Sequence, residues 1–211
     1  MTQVTAYTNE GRYKCLEDLP IDSAELSLGY CGWEQCYPGH RFGPNKRAYY
    51  ALHIIANGKG KLEKNGEVFH LTTGDAFLLC PEEEAWYEAD KKEPWTYAWI
   101  GLYGYKVKKI MQYAGFSKEK SVRSLKCTAL LKSYVDEILE VQRLTTEEAM
   151  RRNGYLNLFL ATLIEDNEKF NTKTTPEHTY PGTVYVKHAM EYMEHYYREK
   201  IKINELAEYI G

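Results

Sequence analysis

The sequence has no long apolar run and no excess of positive charge. No stretch reaches 18 consecutive apolar residues, and residues 1–7 lack the basic start and apolar core of a signal peptide. Lysine and arginine number 27 against 30 acidic residues, which gives a formal net charge of −3. We therefore expect a cytoplasmic protein without a membrane segment, and any surface that binds nucleic acid must be local.

Cysteine and the motifs of common enzymes are also scarce. The five cysteines are odd in number and none forms a Cys-x-x-Cys pair, so we expect reduced thiols in buried or half-buried places. No Gly-x-Ser-x-Gly elbow occurs, and no Gly-Lys-Ser/Thr follows Gly58 and Gly60. Single histidines such as His40 and His53 are more often packed polar residues than acid–base groups. The sequence thus predicts no catalytic residue and no cofactor.

The chain has the composition of a folded protein, with 44% apolar and 27% charged residues. Within it, residues 49–104 carry closely spaced strand signals, separated by turn residues at Asn57-Gly58, Asn65-Gly66, Thr73-Gly74 and Pro81. Asn-Gly tolerates the positive φ angles of a type I′ turn, so residues 60–64 and 67–71 should pair as a hairpin. This stretch predicts a compact β-barrel.

The last strand of this barrel carries a row of aromatic residues. Because strand residues alternate between two faces, Trp95, Tyr97 and Trp99 should share one side. One interpretation is that these rings fill the interior of a small barrel. The other is that they line a pocket, where each ring offers a ligand an apolar face and a polar edge. Periodicity is compatible with both.

Further elements are predicted on both sides of the barrel. The residues before Pro20 form an arm or an edge strand, residues 25–37 alternate as a first strand, and residues 38–44 have the glycine and proline of a loop. After the barrel, apolar residues recur at helical spacing over 107–114, 127–144 and 146–170. The second and third helices are apolar over an arc too wide for one barrel face to cover, which predicts a homodimer contact.

The carboxyl-terminal part has a pattern of its own. Residues 171–183 lack apolar periodicity and predict a linker. A helix is expected from Val184 to near Lys200. Another is expected to begin at a cap formed by Asn204 and to stop at Gly211.

Several segments resemble AraC-type transcriptional regulators in their order and spacing. LHIIANGKG at residues 52–60, GDAFLL at 74–79, YEAD at 87–90 and PWTYAWI at 94–100 are similar to the family's sensor domain. Residues 189–197 and 203–211 resemble its first helix and the first half of its helix-turn-helix. The resemblance implies an α+β chain with four parts: a cupin-like (jelly-roll) effector-binding barrel with an amino-terminal arm in residues 1–115, a helical dimerisation region in 116–170, a linker in 171–183, and the start of a DNA-binding domain in 184–211.

The resemblance further implies a homodimer that regulates transcription in response to a small molecule. In a helix-turn-helix, the second helix enters the major groove and contacts bases. The sequence ends at Gly211, before such a helix. We therefore expect the regulatory part of a longer regulator, which contacts DNA only through its missing carboxyl-terminal part, and we assign no DNA-binding residue here.

Metal-dependent cupin enzymes are an alternative with the same fold. They resemble one another through a His-x-His motif, where this chain offers His53 alone, and a Pro-x-Gly-x-x-His motif, where it places Trp86 at the histidine position. An indole nitrogen only donates, so it binds no metal. A first-row metal needs three or four convergent donors, a set that the sequence does not predict. We expect no metal site and no enzyme.

The remaining alternative is a ligand-independent dimerisation module, in which the barrel is filled by its own side chains.

The resemblance also implies a class of ligand. Family members with aromatic residues at the end of this strand often bind sugars, and an indole packs well on the C–H face of a pyranose. Tyr87, Tyr97 and Trp99 match the sugar-contacting positions of the arabinose-responsive member, although Tyr97 replaces a histidine there. Either His40 or Arg41 corresponds to its sugar-contacting arginine. The hypothesis is that a carbohydrate lies between Trp99 and the loop with these two residues, and that the arm closes over it. The predicted ligand-binding residues are Tyr87, Tyr97, Trp99, His40, Arg41, His53, Trp86 and Trp95.

Overall fold

The computed structural model describes residues 7–170, 182–197 and 201–210. Its internal contacts divide the chain into two units, Met1–Phe170 and Asn171–Gly211. In the first unit, two antiparallel sheets pack face to face. Their strands are β1 (Tyr7–Glu10), β2 (Tyr13–Leu16), β3 (Ser27–Gln35), β4 (Arg41–Lys46), β5 (Tyr50–Asn57), β6 (Lys59–Lys64), β7 (Glu67–Thr72), β8 (Asp75–Leu79), β9 (Glu84–Ala89), β10 (Thr96–Tyr103) and β11 (Val122–Ser124).

One sheet has seven strands in the order β1-β2-β3-β10-β5-β8-β11, and the other has four in the order β4-β9-β6-β7. The two-sheet antiparallel barrel followed by helices confirms the α+β, jelly-roll expectation. The hairpin β6–β7 pairs Gly60 with Leu71 and Lys64 with Glu67, as predicted. Its turn residues Asn65 and Gly66 have φ angles of 52° and 80°, as a type I′ turn requires.

Strand β10 separates two apolar cores, because its residues alternate between the faces of the large sheet. Ala98 and Ile100 face the core that the helices cover. Tyr97 and Trp99 face the barrel interior, together with Trp95 just before the strand. The predicted division of this strand into two faces is therefore confirmed.

Three helices belong to this unit, namely α1 (Val107–Tyr113), α2 (Thr128–Leu139) and α3 (Thr146–Phe170). Helix α1 ends at Tyr113, one residue before the predicted 114, and Gly115 follows shortly after it with φ of 79°. Helix α3 matches its expected range, but α2 is shorter than the predicted 127–144. The turn after it is held by Arg152, whose guanidinium donates to the carbonyls of Val141 and Arg143 at 2.9 Å each. Residues 141–143 therefore form a turn that is stabilised by a side chain of α3, and they do not continue α2.

Two strands differ from the sequence expectation. Residues 38–44 were expected to form a loop, yet β4 begins at Arg41 and pairs with β9. Its ladder is interrupted between Phe42 and Asn45, where Gly43-Pro44 intervenes. Proline cannot donate a ladder hydrogen bond, and edge strands such as β4 tolerate it. The short strand β11 pairs with β8 and was not predicted, because three residues give no readable periodicity.

The second unit contains α4 (Gly182–Tyr196) and α5 (Ile203–Ile210). The ring of Tyr192 packs on those of Tyr196 and Tyr209, with centroids 4.6 and 5.0 Å apart. Asn204 is not the cap of α5, because the helix already includes Ile203 and the Lys202 carbonyl accepts from the Leu206 amide. Most of the predicted linker, residues 171–181, lies outside the described residues, as do residues 198–200 and Gly211. Within the part that is described, no helix is long and apolar enough to cross a membrane.

Candidate functional site

His53 of β5 lies at the centre of the barrel interior and is 1% exposed. Its imidazole stacks on the ring of Phe77 from β8, with centroids 4.5 Å apart and an interplanar angle of 3°. The rings of Tyr87 and Tyr97 follow at 5.2 and 5.7 Å, and that of Trp99 at 6.5 Å. Strands β5, β8, β9 and β10 thus each direct at least one ring to the same place. We call these five residues the aromatic cluster.

The polar groups of the aromatic cluster are neutral at ordinary pH. Burial, reinforced by the nearby positive charge of Arg47, holds the pKa of His53 well below its usual range. Burial also raises the pKa of Tyr87 to about 12 and raises the pKa of Tyr97. The Tyr87 hydroxyl lies 3.4 Å from Nε2 of His53, and the Tyr97 hydroxyl donates to Oε2 of Glu34 at 3.0 Å. Uncharged donors and acceptors beside aromatic faces suit an uncharged, hydroxyl-rich ligand.

Two glycines of the large sheet make room for the rings. A Cβ atom at Gly32 would lie 2.5 Å from Trp99 and from the Lys14 carbonyl oxygen. A Cβ atom at Gly101 would lie 1.8 Å from the ring of Tyr30. These rings therefore lie directly on backbone that bears no side chain, which brings them close to the sheet.

A cavity lies next to the interior, and its volume of about 420 Å³ is within the usual range for small-molecule sites. We call it the mouth cavity. Its wall combines tyrosine rings, one guanidinium and two carboxylates, contributed by Glu17, Asp18, Leu19, Gly29, Tyr30, Arg47, Tyr49 and Tyr103.

Arg47 connects the mouth cavity to the aromatic cluster. Its Nη1 donates to the Tyr30 hydroxyl at 3.0 Å, and its guanidinium carbon lies 5.2 Å from the ring centroid of Phe42. Phe42 in turn stacks on Tyr87 at 5.3 Å. The resemblance implies His40 or Arg41 as the counterpart of the sugar-contacting arginine, and the sequence does not predict Arg47. No local pattern identifies Arg47, because it follows an irregular edge strand.

The arm connects the mouth cavity to the helices. Residues 17–19 line the mouth cavity, and residues 19, 20 and 22 line a second cavity of about 190 Å³ against the amino-terminal end of α3. Leu19 is common to both walls. Asn153 of α3 donates to Oδ2 of Asp22 at 3.2 Å. We call residues 17–22 the arm segment.

The predicted ligand-binding residues divide into three groups. His53, Tyr87, Trp95, Tyr97 and Trp99 are buried together in the barrel interior. Trp86 and Arg41 lie on the opposite face of the small sheet, where the guanidinium carbon of Arg41 is 3.9 Å from the indole centroid. His40 lies at the edge of the interior, with its Nε2 atom 3.4 Å from Oε1 of Glu34.

The structure brings together three side chains of metal-donor type in a place where the sequence predicts no metal site. Donor atoms of Glu34, Cys36 and His40 all lie within 4.8 Å of one another. Sequence reasoning missed this group because it looked for the two cupin motifs. The set instead surrounds the turn after β3, where a carboxylate, a thiol and an imidazole follow within seven residues.

Two of the buried thiols, those of Cys80 and Cys36, are poor nucleophiles. Burial raises the pKa of Cys80 to about 11 and that of Cys36 to about 12, and a reactive cysteine needs the opposite shift. All five cysteines are free in the structure, as predicted.

The chain is similar in sequence to a known protein family and to several transcription regulators. Residues 27–153 match the family model described as the AraC-like ligand binding domain. The Msm operon regulatory protein of Streptococcus mutans is 30% identical over 191 residues, which covers 90% of this chain and 68% of that protein.

Two further relatives match over a shorter stretch. The lactose operon transcription activator of Staphylococcus xylosus is 36% identical over 89 residues, 42% of this chain and 31% of that protein. The raffinose operon transcriptional regulatory protein of Pediococcus pentosaceus is 36% identical over 94 residues, 44% of this chain and 33% of that protein. Among solved structures, a Cupin 2 conserved barrel domain protein from Salinispora arenicola is 15% identical over 47% of this chain and 82% of that one, with a TM-score of 0.35.

Proposed function

The chain belongs to the family of AraC-like ligand-binding domains, and from this premise we propose that it senses a carbohydrate for a transcription regulator. Two of its relatives are named as regulators of lactose and raffinose operons, which supports a sugar as the effector. The relatives are transcription regulators, which favours a binding role over the cupin-enzyme alternative.

The mouth cavity is the observation that carries this proposal. The surface of this cavity is mostly polar: Arg47, Glu17 and Asp18 supply charged hydrogen-bonding groups for the hydroxyls of a sugar, and the side chains of Tyr30, Tyr49 and Tyr103 border it. Its volume of about 420 Å³ is adequate for a small saccharide. The interior itself is filled by its own buried rings, so this proposal places the ligand in the mouth cavity beside them.

The aromatic cluster forms the deeper part of the proposed site. Its rings contact one another closely, with Tyr97 5.3 Å from Trp99 and 5.7 Å from Tyr87. In this proposal the sugar enters at the mouth cavity and contacts Arg47 and Tyr30. Tyr87 then supports Arg47 indirectly, because it stacks on Phe42, which lies beside the guanidinium. Tyr97 and Trp99 pack behind Tyr87 and would contact the sugar only after a ring rotates.

The experiment is a thermal-shift and tryptophan-fluorescence titration of the chain with lactose, raffinose and their component monosaccharides. A sugar at one hundred times its dissociation constant stabilises the fold by about 2.7 kcal/mol. We expect Tyr103→Ala and Arg47→Lys to weaken the response at least tenfold, because they remove an apolar wall and a forked donor.

The matched control is Tyr105→Ala, which alters an exposed tyrosine away from the cavity. Trp99→Ala tests the deeper cluster, and an unchanged sugar response in that variant would limit the site to the mouth cavity. No response to any sugar, in a folded chain, would contradict the carbohydrate proposal and favour the ligand-independent dimerisation module.

We propose further that α2 and α3 carry the homodimer contact. Both helices bury a stripe against the large sheet, yet Leu130 of α2 is 47% exposed and Leu158 of α3 is 50% exposed. The helices lie side by side, with the Tyr155 hydroxyl donating to Glu137 at 3.1 Å. Binding of DNA is assigned in this proposal to the whole regulator, through a helix-turn-helix unit to which α4 and α5 contribute the first helices.

A further inference from the structure

The turn after β3 gathers three side chains of the types that bind transition metals. Glu34 contributes a carboxylate, Cys36 a thiol and His40 an imidazole, and their donor atoms lie within 4.8 Å of one another. We propose that this group binds a single zinc ion at the edge of the barrel, as a site distinct from the mouth cavity and from the motif positions at His53 and Trp86.

The distances suit a tetrahedral ion. Nε2 of His40 and Oε1 of Glu34 are 3.4 Å apart. Zinc bonds to nitrogen and oxygen of about 2.0–2.2 Å at a tetrahedral angle put such donors roughly 3.3 Å apart. An ion can therefore be placed between these two atoms without moving either residue by more than a small rotation. The Cys36 sulfur lies within 4.8 Å of both donors, and in this proposal it moves closer to them to complete the set.

The backbone holds all three residues in place. Glu34 and Cys36 are two apart at the end of β3, and the Cys36 amide donates to the Trp95 carbonyl at 3.0 Å. Gly39, with φ of 70°, closes the turn in which the His40 amide donates to the Tyr37 carbonyl at 3.0 Å. The His40 carbonyl then accepts from the Ala89 amide at 2.9 Å. A preformed backbone lowers the entropic cost of gathering the donors.

A neighbouring residue orients the carboxylate. While Oε1 of Glu34 faces His40, its other oxygen accepts a hydrogen bond of 3.0 Å from the Tyr97 hydroxyl. Metal ligands are commonly fixed by such an outer hydrogen bond, and losing it costs about 10–100-fold in metal affinity. Tyr97 belongs to the aromatic cluster, so the proposed ion and the barrel interior share one hydrogen-bonded side chain.

The donor set selects the type of metal. A thiolate and an imidazole favour zinc over magnesium or calcium, which prefer oxygen donors. On binding, the Cys36 thiol releases its proton to solvent, and the Nε2 lone pair of His40 and a carboxylate oxygen of Glu34 bind the ion. Three protein ligands leave a fourth position for water. The competing explanation is that Glu34 and His40 form an ordinary ion pair beside a buried thiol.

The test is titration of the chelator-treated chain with Co²⁺ as a spectroscopic probe for zinc. We expect one equivalent to bind, with visible ligand-field bands of tetrahedral cobalt and a thiolate-to-cobalt charge-transfer band in the near ultraviolet. Zn²⁺ should displace the cobalt and remove these bands. Absence of the charge-transfer band at saturating cobalt overturns the proposal.

Variants separate the proposed ligands from other groups on the chain. Cys36→Ser should abolish the charge-transfer band, and His40→Ala should weaken cobalt binding at least tenfold. Cys36 is fully buried, so Cys36→Ser could fail to fold. His40 is only half-buried, and His40→Ala then provides the decisive result.

Cys127→Ser and His70→Ala are the matched controls and should bind cobalt like the parent chain. Tyr97→Phe should weaken binding about 10–100-fold. Bands that persist in Cys36→Ser but disappear in Cys127→Ser would assign the metal to another cysteine and overturn the proposal.

Discussion

At the scale of single residues, His53 links the packing of the barrel to pH. Arg47 and the phenols of Tyr87 and Tyr97 surround it, and burial followed by the charge of Arg47 lowers its pKa. In the unfolded chain a histidine has a pKa of about 6.5. At pH values between about 6.5 and the lower folded pKa, the unfolded state therefore binds more protons than the folded state. Stability from this residue is complete above about pH 6.5 and is lost as the pH falls through the folded pKa.

The corresponding prediction concerns His53→Gln. Denaturant unfolding of the parent chain should give a free energy that decreases as the pH falls below about 6.5. In His53→Gln, the free energy of unfolding should decrease less steeply with falling pH, because this imidazole is gone. His70→Gln, at an exposed position, should show the same pH dependence as the parent chain. Equal pH slopes for the parent and His53→Gln would contradict a buried neutral imidazole.

A second prediction at this scale concerns the glycines beneath the rings. Gly32→Ala should destabilise the fold by about 1–3 kcal/mol, because the new methyl group meets Trp99 and a backbone carbonyl at 2.5 Å. Gly154→Ala, in α3 with open space around it, should instead stabilise by about 0.4–1 kcal/mol. Chemical denaturation of both variants measures the difference, and a neutral Gly32→Ala would mean that the ring moves away freely.

At the scale of elements, a buried ion pair connects β6 to the turn before β9. Nζ of Lys64 lies 2.8 Å from Oε2 of Glu83 and donates to the Lys118 carbonyl at 3.1 Å, with both side chains at most 3% exposed. The same carboxylate oxygen accepts from the Cys80 amide at 2.9 Å. Removing one member leaves an uncompensated buried charge, which is more costly than losing the pair together.

We therefore predict that Lys64→Met costs about 3–5 kcal/mol of folding free energy. The double variant Lys64→Met/Glu83→Gln should recover most of that loss, since the amide oxygen still accepts from the Cys80 amide. Lys59→Met breaks an exposed pair with Glu93 and should cost at most about 1 kcal/mol. If the double variant were less stable than Lys64→Met alone, the buried charge would not be the cause.

The sequence predicted those elements whose signals are local. Asn65-Gly66 defined a hairpin because the turn chemistry lies in two adjacent residues, and the two faces of β10 followed from alternation. Strands β4 and β11 were missed or misread, since their partners β9 and β8 are distant in sequence and each ladder is short or interrupted. Arg47 was missed because its surroundings come from several strands. Glu34, Cys36 and His40 are close in sequence, but they match neither of the two cupin metal motifs.

At the scale of the whole molecule, the proposed dimer contact is testable with one charge. Leu158→Glu places a carboxylate on the exposed side of α3 and should weaken dimerisation at least tenfold, or about 1.4 kcal/mol. Val68→Glu is the matched control, because Val68 is equally exposed at 50% but lies on β7 of the small sheet. Sedimentation velocity over a concentration series measures both. Identical behaviour of the two variants would remove α3 from the interface.

The arm segment gives these proposals a joint consequence. Leu19 lies in the wall of the mouth cavity and in the wall of the cavity against α3, so one side chain is a neighbour of both the proposed sugar and a proposed dimer helix. Any coupling through it must be reciprocal: if sugar changes the dimer constant by some factor, dimerisation changes the sugar constant by the same factor. The sugar affinity measured for this chain would then depend on the protein concentration at which it is measured. A dilution series in which that affinity stays constant would mean that the two sites act independently.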